Sequence, residues 1–475
     1  MTALAALLFA ATVSVTPGKN VPALVAANPP GTTFTFAPGI YRLGASIVPK
    51  DGDKFVGAAG QQSILRGSIV VAGFTKVGNY WVASLPYKYN NPACSLANGC
   101  TCDAAHPACN LSEDLQVDTT LYLRMPDLTQ MAAGRWYWDL KAGKVYLVDN
   151  PTGHNVEVSV TGRGFAGAAL NVTVDGFLLE RFAGQVIFPR VDGGQWGRGW
   201  IVQNNNIKFG HLSGVTMANA MQVLNNTICD NGKLGIAGGG DSDVIEGNEI
   251  CRNNYAGFTS NRGGGKFDAA TNLVVRNNFV HDNLGAGLHT DSGSAVALYE
   301  YNHTSANQGP GIEHEISHSA TIRYNLVENE VKGITGSIAH GAGIWIYAAD
   351  GVSVYGNTVI NSLNGIAAYQ TLRNDNLGTH YVQNLSVHDN SITQPTGFAA
   401  GIMSNSNANY YPMLYANWNN RFDNNTYCLG AATQTAYTWN LKDGAKASWQ
   451  QAGQDVHGLW TCPAPPTNTT PPAGL

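Results

Sequence analysis

From about residue 170 onward one short pattern of apolar and polar positions recurs, xVxxNx(I/V)xxN followed after a few residues by G(I/L/F). Copies centre on Asn226, Asn248, Asn278, Asn302, Asn325, Asn357 and Asn390, with weaker ones near Asn205 and Asn425. The shortest intervals, Asn226 to Asn248, Asn278 to Asn302 and Asn302 to Asn325, are 22, 24 and 23 residues. A period this short, without heptads and rich in Asn, Gly and β-branched residues, describes one turn of a coil of short strands. Each turn buries its apolar face only by stacking on the next.

Aligning the turns on G(I/L/F) puts Ile236, Phe258, Leu288, Ile312, Ile344, Ile366 and Ile402 in one inward column. Strand alternation then turns their neighbours outward. The first outward column is Ala237, Thr259, His289, Glu313, Trp345, Ala367 and Met403, and the second is Gly239, Asn261, Asp291, Glu315, Tyr347, Tyr369 and Asn405. Together they predict a polar and aromatic strip along the coil, with His289, Asp291, Glu313 and Glu315 at its centre. The repeat Asn itself reads as a ladder of stacked amides, and His314, which alternates inward, as a buried histidine with a hydrogen-bond partner.

The pattern resembles the right-handed parallel β-helix repeat of the pectate-lyase-like superfamily, over roughly residues 170 to 430. The resemblance implies an all-β solenoid. Proteins similar to it are largely secreted polysaccharide hydrolases and pectate-lyase-like enzymes, so it also implies one of those two activities. The repeat specifies fold far better than activity.

The rest of the chain is read around this coil. Residues 1–15, MTALAALLFAATVSV, have the apolar run of a signal peptide, with a buried first strand or helix as the alternative; no Lys or Arg precedes the run. Residues 16–73 predict an N-terminal cap and first turns: a short helix on Val21, Leu24 and Val25, stopped by PPG, then alternating strands. Such a cap hides the open strand edge of the coil. In 74–160 the repeat lapses, and NYWVASL, TLYLRM, RWYWDL and KVYLVD predict a small antiparallel insertion with a Cys-rich loop. Trp136, Tyr137 and Trp138 could stack on sugars, but packing the insertion is the commoner use of such residues. The coil occupies 161–430, a C-terminal cap 431–462, and a Pro/Thr-rich tail 463–475.

Composition narrows the partners. Charged residues make up 12% and the formal net charge is -5, so the chain offers no basic surface for nucleic acid. Beyond the N-terminus no apolar run reaches the ~18 residues needed to span a membrane. The expected protein is a secreted or periplasmic monomer whose partner is a polysaccharide or oligosaccharide. Eight cysteines in such a chain favour disulfides over metal. Cys229 and Cys251 share an offset of three residues from successive repeat Asn residues and should stack within bridging reach. Cys428 is left for Cys462. Cys94, Cys100, Cys102 and Cys109 predict two local bridges, since C-x5-C-x-C-x6-C is not a familiar zinc spacing.

Three carboxylates on adjacent rungs are costly unless a proton, a cation or a substrate relieves their repulsion. Glycoside hydrolysis relieves it with one carboxyl as proton donor and another as nucleophile or base. Asp291 and Glu315 are the favoured pair, with Glu313 on the diagonal and His289 beside it. This reading needs neither metal nor cofactor. A calcium-dependent lyase on uronate polymers is the second reading, with Arg262, Lys266 or Arg373 as base. The absence of a densely basic groove favours the hydrolase. A non-catalytic binding or adhesive β-helix is the third. The long connections Asn261–Asn272, Glu328–Gly341, Gln370–Gln383 and Asn405–Asn417 should wall one groove. Asn261, Arg262, Lys266, Trp345, Tyr347, Tyr369, Arg373 and Asn405 are the expected substrate contacts.

Overall fold

The computed structural model describes residues 11–85, 87, 100–331, 341–405 and 411–462. Cys94, most of the proposed signal segment, the 463–475 tail and parts of two predicted walls lie outside these residues. Three long sheets of 13, 12 and 13 strands run side by side, and consecutive turns contribute one strand to each. Apart from the closing pair Tyr437–Trp439 and Lys442–Gly444, their pairings are parallel. This is a right-handed parallel β-helix. It is capped at its start by the helix Val21–Ala27, whose Val21 and Val25 are buried and whose Asn20 side chain accepts from Ala23 N.

The repeat Asn follows from the corner it occupies. The residue before it has positive φ in turn after turn, as at Asn204, Asn225, Gly247, Asn277, Gly356 and Asn424, which explains the Asn and Gly found there. The repeat Asn is buried and binds the next turn twice: Asn226 N and Nδ2 donate to Asn248 Oδ1 at 2.9 and 3.0 Å. The same bonds link Asn205 through Asn425, and Asp455 closes the series by accepting from Asn425. A second ladder, Asn231, Asn253, Asn283 and Asn307, ends on Glu330. Backbone groups at the corners are thereby satisfied in the dry interior.

The apolar column exists with two changes. Val215, Ile236, Gly265, Leu288, Ile312, Ile344, Ile366 and Ala400 are successive partners. Phe258 is buried elsewhere, in a small cluster under the Cys-rich loop, and Gly265 takes its place. Ile402 is buried two residues further along, opposite Ala368. The strand of that turn is Gly263–Asp268, so the long connection lies before the strand and Lys266 belongs to the strand itself.

The insertion is an eight-stranded sheet ordered from Ser68–Val70 to Thr75–Val77. It is antiparallel except where Thr120–Arg124 meets Arg135–Asp139 in parallel. Trp136 and Trp138 form its core, as the packing role requires, while Tyr137 is half-buried and lies across from Tyr146. Glu157, fully buried, pins the sheet to the coil through Arg42, Arg66 and Arg181 at 2.8, 3.1 and 2.9 Å. The Cys-rich loop crosses the connection before Gly263: Cys102 bridges Phe258, and Thr259 N donates to Thr101 O. Cys102–Cys109, Cys229–Cys251 and Cys428–Cys462 are disulfides, and no described cysteine is free.

Candidate active site

The strip is built on one sheet from the strands Gly263–Asp268, Ala286–Asp291, Ile312–Glu315, Ile344–Tyr347 and Asn364–Gln370. Register fixes its two columns. Lys266, His289, Glu313, Trp345 and Ala367 are successive partners in the first. In the second, Asp268 pairs with Asp291, and Glu315, Tyr347, Tyr369 and Met403 follow in line. Lys266 and Asp268 therefore stand where alignment on Phe258 puts Thr259 and Asn261. Asn261 is exposed in the connection before the strand, and Arg262 there bonds Phe258 O at 3.3 Å. Asn405 lies just past the end of its strand, exposed, with its N–H on Gln370 O.

Counting backward from the next ladder Asn would have placed both on the strand: Asp268, which the sequence reading did not name, and Lys266, which it placed in a walling loop. Asp268 precedes Asn278 by 10 positions, as Glu315 precedes Asn325 and Tyr347 precedes Asn357, and Asp291 precedes Asn302 by 11. In these four turns the connection that follows the strand is nearly constant in length, whereas the one before it varies.

The crowded carboxylates are relieved by the protein's own cations. Lys266 Nζ is 2.5 Å from Asp291 Oδ2 and 3.8 Å from Asp268 Oδ1. His289 Nε2 is 3.1 Å from Glu315 Oε2 and 3.7 Å from Glu313 Oε1. Arg373 Nη2 is 3.3 Å from Glu315 Oε1. Asp291 Oδ1 also accepts from Ser292 N and Oγ, at 2.7 and 2.9 Å. Lys266, Asp291, Glu313 and Glu315 are each less than 9% exposed, so these charges interact in a poorly solvated strip.

Environment separates the carboxyls. Burial opposes the charge on Asp291, but Lys266 and His289 outweigh it and hold the carboxyl below its ordinary range. Burial dominates at Glu313, with His289 opposing and Glu315 adding, and pushes it up to about 7. Burial disfavours the His289 imidazolium, yet Glu313 and Glu315 raise it. Lys266 is likewise raised, its burial outweighed by Asp291. His314 faces inward, fully buried, with Nδ1 2.6 Å from Thr290 Oγ1; burial and the neighbouring His289 push it down to about 3, so it is a neutral packing residue.

Aromatic side chains flank the C-terminal side of the acids. Trp345 and Tyr347 lie 5.1 Å apart, and Tyr369 is 5.5 Å from Tyr347. Arg373 reaches over this patch, its guanidinium 5.2 Å from the Tyr347 ring.

One nitrogen of His289 and one oxygen each of Asp291 and Glu315 lie within 4.8 Å of one another, a donor set on which Ca2+ can be tested. The fit is poor. Ca2+ takes six to eight oxygen ligands, whereas here the Lys266 ammonium already sits on Asp291 and the Arg373 guanidinium on Glu315.

The family described as "Right handed beta helix region" matches residues 190–359. No curated protein matches the chain in sequence. Among solved structures, XylC in complex with xylose superposes with a TM-score of 0.61 at 14% identity, covering 94% of this chain and 86% of XylC. The A-module of the mannuronan C-5 epimerase AlgE4 of Azotobacter vinelandii gives 0.49 at 10% identity, covering 94% and 92%. A glycoside hydrolase gives 0.42 at 10% identity, covering 90% and 92%. The chain is a right-handed parallel β-helix.

Proposed function

We propose that the strip is the active site of a glycoside hydrolase acting on a neutral polysaccharide or oligosaccharide. The observation that carries this reading is the separation of Asp291 from Glu313. Lys266 keeps Asp291 ionised, and burial keeps a proton on Glu313 up to about pH 7. Two carboxyls whose surroundings push them apart are what acid and base roles require. In this reading Glu313 protonates the leaving glycosidic oxygen, and Asp291 is the nucleophile or activates water. Glu315 and His289 orient the pair. The pair is thus Asp291 with Glu313, in place of Asp291 with Glu315, the favoured pair by stacking alone.

Trp345, Tyr347 and Tyr369 supply apolar surface for sugar rings beside the acids. The sugar bound in XylC, whose fold superposes over most of both chains, is in keeping with this choice of ligand. Disulfides suit an oxidising extracellular or periplasmic compartment. The lyase reading is weakened twice: Lys266 stands where the cation would bind, and its ammonium, held protonated by Asp291, is a poor base.

A panel of neutral and uronate polysaccharides, incubated with and without chelator, tests the proposal. New reducing ends from a neutral glycan, unchanged by chelator, are expected. Unsaturated products absorbing in the ultraviolet, or activity abolished by chelator, would establish the lyase. Glycan binding with no turnover would establish a binding protein.

A further inference from the structure

The segment after Asn364–Gln370 is a two-stranded antiparallel hairpin, Arg373–Asp375 with Gly378–His380. It folds back along the strip instead of continuing the coil, and its base is tied down. Gln370 Nε2 donates to Thr371 O at 2.6 Å and to His380 O at 3.3 Å, while Gln370 Oε1 accepts from Val382 N. His380 is buried, with Nε2 2.9 Å from Asp375 Oδ1 and its ring 4.6 Å from that of His318. The far end reaches the acids' own turn. A methyl group added at Gly293, two residues past Asp291, would stand 3.6 Å from both Asp375 Oδ2 and Asn376 Oδ1.

Arg373 is aimed by this frame. Nη1 donates to Tyr347 Oη at 3.2 Å, Thr371 Oγ1 donates to the same hydroxyl at 3.1 Å, and Nη2 lies 3.3 Å from Glu315 Oε1. We infer that Arg373 is a positioning residue: the hairpin fixes its guanidinium on Glu315 Oε1 and leaves Oε2 to His289, so that the Glu315 carboxyl is held in place, its charge countered, beside Glu313. Its consequence for catalysis rests on the hydrolase reading, but its effect on Glu315 does not. The charged and titratable groups around Glu315 are Glu313 on its own strand, His289 and Asp291 on the preceding one, Lys266 and Asp268 on the one before that, Tyr347 on the next, and Arg373 on the hairpin, whose Asp375 pairs with His380. Lys266 is committed to Asp291, so Arg373 and His289 are the cations that Glu315 has.

The test compares wild type, Arg373→Met and Arg373→Lys by carboxyl carbon NMR titration, with the pH dependence of kcat and KM measured beside it. In Arg373→Met the Glu315 midpoint should rise by about one unit, the low end of what an opposite charge at this range contributes. Arg373→Lys, which keeps the charge, should recover most of that shift. Unchanged midpoints with a raised KM would overturn the inference and make Arg373 a substrate contact. If wild type cleaves no glycan, the NMR titration still decides the positioning role, and only the hydrolase reading fails. If Arg373→Met does not fold, Arg373→Gln, which keeps a hydrogen-bond donor for Tyr347 but no charge, carries the test: a raised Glu315 midpoint is expected, and an unchanged midpoint with weaker substrate binding overturns the inference.

Discussion

The Lys266 ammonium lies 2.5 Å from the Asp291 carboxylate on the neighbouring rung, and both side chains are almost wholly buried. Removing one partner of such a pair leaves the other charge without a counter-ion, which typically costs about 3 to 5 kcal/mol. Lys266→Met should therefore lower stability by about 3 kcal/mol in urea unfolding. It should also cut turnover by about 10² or more, because Asp291 is no longer held ionised. Full activity in a destabilised Lys266→Met protein would separate the pair from the chemistry.

Activity should follow a bell in pH. Glu313 must be protonated to act as acid and titrates at about 7, so kcat/KM should fall as pH rises through about 7. Asp291 must be charged and is held below its ordinary range, so the acid limb should lie at or below that of a free aspartate. A rate that stays flat between pH 6 and 9 on a cleaved substrate would remove Glu313 from the donor role.

Much of this architecture is legible in the sequence because the corner chemistry is local. An Asn preceded by a left-handed residue marks each turn, and equal offsets from it placed Cys229 beside Cys251. The same regularity brought Asp291, Glu313 and Glu315 together. What was not legible came from variable connections. The stretch before Gly263 contains an apolar Phe258 after a Gly, which mimics the repeat, and the error hid Asp268 and put Lys266 in a loop. Besides His289, the cations that neutralise the acids come from that misplaced strand and from a hairpin that folds backward, and neither follows from the period.

The second ladder carries a separate pH dependence. Glu330 is buried at its end, its two oxygens accepting from Asn307 N and Nδ2 at 2.7 and 3.2 Å, and burial raises it from 4.5 to about 8. A carboxyl raised on folding binds its proton more tightly in the native state, so stability is fully present below about pH 4.5 and is lost as pH rises toward 8. The slope is about 1.4 kcal/mol per pH unit for each such group within its window. Glu313 and Asp243, both raised to about 7, act in the same direction. Thermal midpoints of wild type should fall between pH 5 and 8, and those of Glu330→Gln should fall less steeply. Equal slopes in the two proteins would mean that Glu330 is ionised throughout.

The carboxylates can be ranked by amide substitution on a substrate the wild type cleaves. Asp291→Asn and Glu313→Gln should each lower kcat by about 10² to 10⁴, the range for a lost acid or base. Glu313→Gln should also flatten the alkaline limb, since its titration is gone. Glu315→Gln weakens the contacts to His289 and Arg373 without removing a proton donor, so its loss should be smaller, with the alkaline limb displaced but present. His289→Gln keeps a hydrogen-bond donor but no charge and should resemble Glu315→Gln. Substrates with good leaving groups need little help from an acid, so they should restore Glu313→Gln more than Asp291→Asn. If such a substrate restores Glu315→Gln and not Glu313→Gln, Glu315 is the proton donor and the stacked pair Asp291 with Glu315 is the catalytic one.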